Sequence, residues 1–264
     1  MRSDSGLCTL LAMAVAATAP LAAQGADEHV VRGKAAWDAR DPAAALRHFE
    51  AALAIDSMNY EANWRGAIAA IDIGKQTPDS VKSPERDKLY AQAEGLAKRA
   101  VAANLMGADG HFALAAAIGR ASLTKSAKER VRRASEIRIE AMKALEIDPR
   151  HDGAWHVLGR WNAEIMRLSG LERFFAKNFL GGKVFNEASW AEAERALGKA
   201  IEHRPGYIYH RLDLAEVYLD QKKYREAESQ LRAIPDLGLI DVMDPQYKRD
   251  AARLLSDLPG SGAR

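Results

Sequence analysis

The chain has 264 residues, with 38 Lys and Arg against 36 Asp and Glu, and a formal net charge of +2 that speaks against a strong pull toward nucleic acid or a membrane surface. Hydrophobic residues at 48% can fill a sizeable core, and aromatics at only 7% in an alanine-rich chain favour closely packed helices over sheets. The single cysteine, Cys8, lies in the first segment, so the chain beyond it has no thiol and no disulfide.

That first segment has the layout of a secretory signal. Arg2 gives a positive start, diluted by Asp4, and Leu7–Ala19 is free of charge but too short to span a bilayer comfortably. Pro20 ends the run, and Leu21-Ala22-Ala23 offers small residues for cleavage after Ala23. Ser5-Gly6-Leu7 before Cys8 does not resemble a lipoprotein box. Residues 1–23 are therefore expected to direct export to a bacterial periplasm and to leave no transmembrane anchor once removed.

Helical patterning starts at His29. His29–Ala39 and Pro42–Ile55 form a pair, with Gly33 as the small residue of the first helix and Ala45, Phe49 and Ala52 spaced along the second. The next pair comprises Asn59–Ile73, ended by Gly74, and a long helix opened by Pro84 or Glu85, with Gln76–Ser83 as the loop. Asp109–Ala121 and Ser126–Ile147 come next; Ser126 with Glu129 reads as a capping box, and Asp148-Pro149 stops the helix. Asp152–Pro205 is the fourth pair, Tyr207–Asp220 with Tyr224–Ala233 the fifth, and Pro245–Ser256 a last amphipathic helix.

The fourth pair carries Trp155, Leu158 and Gly159, then Ala193, Leu197, Ala200 and Pro205, the residue order of a tetratricopeptide repeat (TPR) interrupted in its middle. "AMKALEIDP" at Ala141–Pro149 is a familiar close to the second helix of such a repeat. One repeat cannot bury its own apolar face, so these units must stack. The expected fold is all-α: a TPR-like right-handed superhelix of about five helix pairs with a C-terminal capping helix and an inserted helical segment in the fourth pair. Residues 27–258 would form this domain and residues 259–264 a disordered tail.

No catalytic set emerges from the sequence, so the reading is of a protein that is not an enzyme and uses no cofactor. His151, Asp152 and His156 invite a metal reading, but a five-residue spacing of the histidines does not share a helix face, and Asp152 reads better as an N-cap. Gly181-Gly182 lacks the lysine pattern of a phosphate loop. The cationic groups of Lys125–Lys143 could meet phosphate or anionic headgroups, but they read better as a solvated helix face with pairs such as Arg132–Glu136. The inner, concave positions of the first helices are the better candidates: Trp37, Trp64, Ile68, Ile71 and Phe112, then Arg160 and Glu164. In the insertion, Leu171, Phe174, Phe175, Phe179 and Phe185 form an apolar set able to cover that groove or to share in binding.

"HDGAWHVLGRWNAEIMRLSGLERFFAKNFLGG" (His151–Gly182) resembles the regulator of microtubule dynamics family. The shared features are the phrase Leu158-Gly159-Arg160-Trp161, the inserted segment Leu168–Phe185, the alanine-rich helix Trp190–Glu202 and the turn His203–Tyr207. The resemblance implies a TPR-like domain with tethering or phospholipid-handling roles; a microtubule role does not suit an exported chain. The leading expectation is a non-catalytic exported adaptor that takes a protein or peptide partner in its groove. The alternative is a soluble phospholipid-binding or lipid-transfer protein.

Overall fold

The computed structural model describes residues 21–122, 125–170, 172, 174 and 183–259. Every regular element within them is a helix: α1 (Leu21–Asp38), α2 (Pro42–Ile55), α3 (Tyr60–Lys75), α4 (Pro84–Ala103), α5 (Ala108–Ala121), α6 (Ala127–Ile147), α7 (Asp152–Arg167), a 3-10 turn (Lys183–Glu187), α8 (Trp190–His203), α9 (Ile208–Asp220), α10 (Tyr224–Ala233) and α11 (Asp244–Ser256). No helix among the described residues is long and apolar enough to cross a membrane.

Local chemistry sets the ends of these helices. Asp41, Asn59, Ser83, Ser126 and Ser189 each accept a hydrogen bond from a first-turn amide, and Pro42 and Pro84 occupy first-turn positions where no N–H is needed. The tight turns within the first and fifth pairs place Arg40 and Lys222 in left-handed backbone at φ 61° and 59°. The first helix begins at Leu21 rather than His29, because the intervening Ala, Gln and Glu favour a helix as much as the residues beyond His29 do.

The pairs α1/α2, α3/α4, α5/α6, α7/α8 and α9/α10 stack in sequence order, with α11 against the last. Close approach within a pair depends on motif glycines. A Cβ on Gly33 would lie 2.5 Å from the Phe49 ring, and one on Gly159 2.5 Å from Leu197 Cγ. Phe49, Leu96 and Ile118 fill the core of the first three pairs; Ile208, Leu231, Ile234 and Tyr247 fill that of the last pair and α11. Trp161 and Phe185 meet edge-on with Val131 and Ile165 in a smaller cluster, and the Trp161 indole donates to the Ala134 carbonyl at 2.7 Å.

Candidate functional site

The stack curves far enough for its two ends to touch. Arg40, in the α1–α2 turn, donates to the carbonyl of Leu239, and Lys75 at the end of α3 lies 3.3 Å from Asp241. The segment between α10 and α11 thus reaches back to the first and second pairs. Asp244 builds that turn: fully buried, it accepts the amides of Ile240 and Asp241 at 2.6 and 2.7 Å.

The inner face is charged and aromatic. Lys75 bridges Asp72 at 2.6 Å and Asp241, whose Oδ2 also accepts the Tyr207 hydroxyl at 2.5 Å. Burial pushes the Asp72 carboxyl up to about 6, with Lys75 opposing; burial works against the Lys75 charge, yet Asp72 and its neighbours hold that ammonium well above the ordinary lysine range. Burial also raises Tyr207, keeping it a neutral donor. Next along, Arg120 of α5 and Arg160 of α7 both donate to the hydroxyl of Tyr209 on α9. Tyr209 in turn stacks on Tyr247 of α11, with centroids 4.6 Å apart and rings within 4° of parallel. First helices of non-neighbouring pairs converge here, which is possible only across the inside of the curve.

Behind Tyr209 lies a buried histidine pair. His210 Nε2 is 2.9 Å from Asp152, and its Nδ1 is 2.9 Å from His156 Nδ1. Burial, aided by His156, lowers His210 to about 4, against the opposing pull of Asp152, so the ring is neutral near pH 7. A carboxylate only accepts, so the single His210 proton sits on Nε2, and Nδ1 must accept from His156. His156 Nε2 lies 3.1 Å from Asp213, which Arg160 also meets at 3.2 Å. Burial would raise Asp213, but Arg160 and His156 outweigh it and hold the carboxyl at about 2.

Of the residues singled out from sequence, Arg160 sits at the centre of this convergence and Glu164 beside it at 3.4 Å. Trp37 lines a small cleft with Arg40, Asp72, Arg204, Tyr207 and Asp241. Ile71 is in the core of the first three pairs, and Trp64 and Ile68 pack against it half-buried, Trp64 under the Arg65 guanidinium at 4.2 Å. Phe112 leans on His151 at 4.8 Å. The early inner face is therefore less apolar than expected, because these side chains turn into the interfaces between helices. His151, not Asp152, caps α7, accepting from Ala154, which frees Asp152 for His210. In the insertion, Leu171, Phe175 and Phe179 lie outside the described residues; Phe174 is exposed and Phe185 is buried on Trp161. Arg132 pairs with Glu136 and Glu129 on a solvated face as expected, but its neighbour Arg133 turns inward to Ser122 and Glu94. Sequence reasoning misses Tyr209, His210, Lys75 and Asp241; an aromatic flanked by histidine in a first helix is the one local hint.

Comparison with known proteins agrees with this architecture. A crystal structure of a thermophilic TPR protein from Thermus thermophilus superposes with a TM-score of 0.60 at 19% identity, covering 87% of this chain and 98% of that one. Pseudomonas aeruginosa pilF gives 0.51 at 12% identity, covering 89% and 86%. Regulator of microtubule dynamics protein 1 from Bos taurus and from Mus musculus are each 26% identical over 204 residues, covering 76% and 77% of this chain. The match spans 62% and 66% of those relatives' own length. Residues 33–259 match the family described as Regulator of microtubule dynamics protein 1-3, and the chain belongs to that family.

Proposed function

We propose that the chain is a non-catalytic, exported binding protein whose inner face takes a short segment of a protein partner. One observation carries this reading: the face already holds a piece of chain, its own residues 239–247, which run through a turn into the first turn of α11. Arg40 takes a backbone carbonyl, Lys75 and Tyr207 take a carboxylate, and Tyr209 takes an aromatic ring. These are the three elements of peptide recognition: main chain, charge and side-chain anchor. Arg160 and Glu164, the latter exposed, supply further polar contacts at the open side. The phospholipid alternative is less well supported, since the inner face among the described residues presents ionic groups and phenols where an acyl chain needs apolar wall.

The test is in-cell photo-cross-linking of the exported protein with a photoreactive residue at Glu164, comparing wild-type and Arg160→Ala backgrounds. Discrete protein adducts that weaken with Arg160→Ala are expected, with circular dichroism confirming that the variant is folded at the working temperature, since it leaves the buried Asp213 with one partner fewer. Adducts unchanged by that substitution would refute the groove assignment. Native mass spectrometry with co-purifying phospholipid and no protein adduct would favour the lipid reading instead.

A further inference from the structure

A cavity of about 130 Å³ opens between α4, α5 and α6. Its wall contains Tyr90, Arg120, Lys125 and Arg133 with Asp87 and Glu94. Tyr90 is 2% exposed, and its hydroxyl is buried with no hydrogen-bond partner among the described residues. An unpaired buried hydroxyl is costly, yet packing holds this one in place: its ring lies where a Cβ on Gly74 would be, 2.4 Å from Cε1. Leaving it unmet invites an acceptor.

The cations around it have capacity to spare. Arg120 uses a 3.3 Å bond to Tyr209 and a 3.6 Å approach to Asp79. Lys125 is exposed, and its ammonium makes no ion pair with the described residues. The two acids are already answered: Glu94 by Arg133 and by Lys98 at 2.7 Å, Asp87 by Arg86 at 3.5 Å. Arg133 is paired with Glu94 and Arg120 with Asp79, so Lys125 is the wall cation left without an ion pair among the described residues. One such charge suits a monoanion; the second charge of a dianion would meet only cations that already have a carboxylate.

We infer that this cavity is a carboxylate-binding site, in which the Tyr90 hydroxyl and the Arg120 guanidinium grip one carboxylate with Lys125 at the mouth. The volume admits a carboxylate with its first carbons, either a free small acid or an acidic side chain carried by a peptide. The cavity shares Arg120 with the inner face, where the same guanidinium donates to Tyr209, but the inference holds whatever partner occupies that face.

Sodium acetate, a glutamate-containing tripeptide amide and inorganic phosphate are titrated into the full protein by NMR, against sodium chloride at matched ionic strength. Saturable binding of acetate or the tripeptide is expected, with phosphate weaker; the tighter of the first two identifies the source. Tyr90→Phe should weaken that binding about tenfold or more, the worth of one hydrogen bond to a charged group. Without ligand the same variant should melt at or above the wild-type temperature, because it removes a buried hydroxyl that lacks a partner. Lys125→Ala should weaken binding severalfold with no change in melting. Absence of a saturable carboxylate response, tighter binding of phosphate, or full-strength binding by Tyr90→Phe would each overturn the assignment.

Discussion

Replacing His210 by Gln isolates the buried histidine pair. His210 is 1% exposed and faces Asp152, His156, Arg204 and the Tyr207 ring, and its folded value is pushed down to about 4. Unfolded, a histidine takes up its proton near pH 6.5. Below that pH the unfolded chain gains a proton that the folded chain refuses, so stability from this group falls as pH falls. The loss is about 2 kcal/mol between pH 7 and 5, from the ratio of the two binding polynomials. Burial raises Asp72 to about 6 and, with Asp213, Glu216 to about 7; these bind protons in the folded state first, so their contribution rises as pH falls. The wild-type curve alone therefore hides the histidine. The difference between wild type and His210→Gln removes the Asp72 and Glu216 contributions and should shrink by about 2 kcal/mol across that window. Urea unfolding at pH 7, 6 and 5 provides it. Parallel curves, or a difference that grows on acidification, would show that the ring is not held neutral.

Packing and shared hydrogen bonds set three further outcomes. Gly159→Ala drives a methyl against Leu197 Cγ and should cost about 1–3 kcal/mol by denaturant melting, with no effect if the two helices can part freely. Asp241→Asn takes the charge from a carboxylate shared by Lys75 and Tyr207; since Lys75 keeps Asp72, the expected loss is about 2 kcal/mol. Because it also loosens the seated segment, partner cross-linking at Glu164 should increase in that variant. Trp161→Phe keeps the ring against Phe185 but leaves the Ala134 carbonyl without its donor, a cost of about 1–2 kcal/mol readable in thermal melts.

The pairing of helices was legible in sequence because each pair repeats a short-range rule, a small residue such as Gly33 or Gly159 opposite a large one such as Phe49 or Leu197. Arg160 was legible for a related reason: it comes directly after the motif glycine, and that position faces the inside of the curve. Ile71 and Trp64 were less so, because the inner face and the seam between neighbouring pairs lie within one helical position of each other. A shift of about 100° decides between them. The groove's occupant was not legible at all. Contacts such as Arg40 with Leu239 join residues 199 apart in sequence, and no periodicity encodes where a curved stack closes on itself.

That closure changes what kind of object the chain is. An open array of repeats behaves as a string of near neighbours and frays from either end. Here the Arg40–Leu239 and Lys75–Asp241 contacts act as a clasp on a coiled spring. Stretching the protein end to end would have to undo the clasp before any single pair could slip, giving one large rupture and then smaller ones. A partner segment that displaced residues 239–247 would undo the same clasp chemically, so binding and mechanical compliance would rise together.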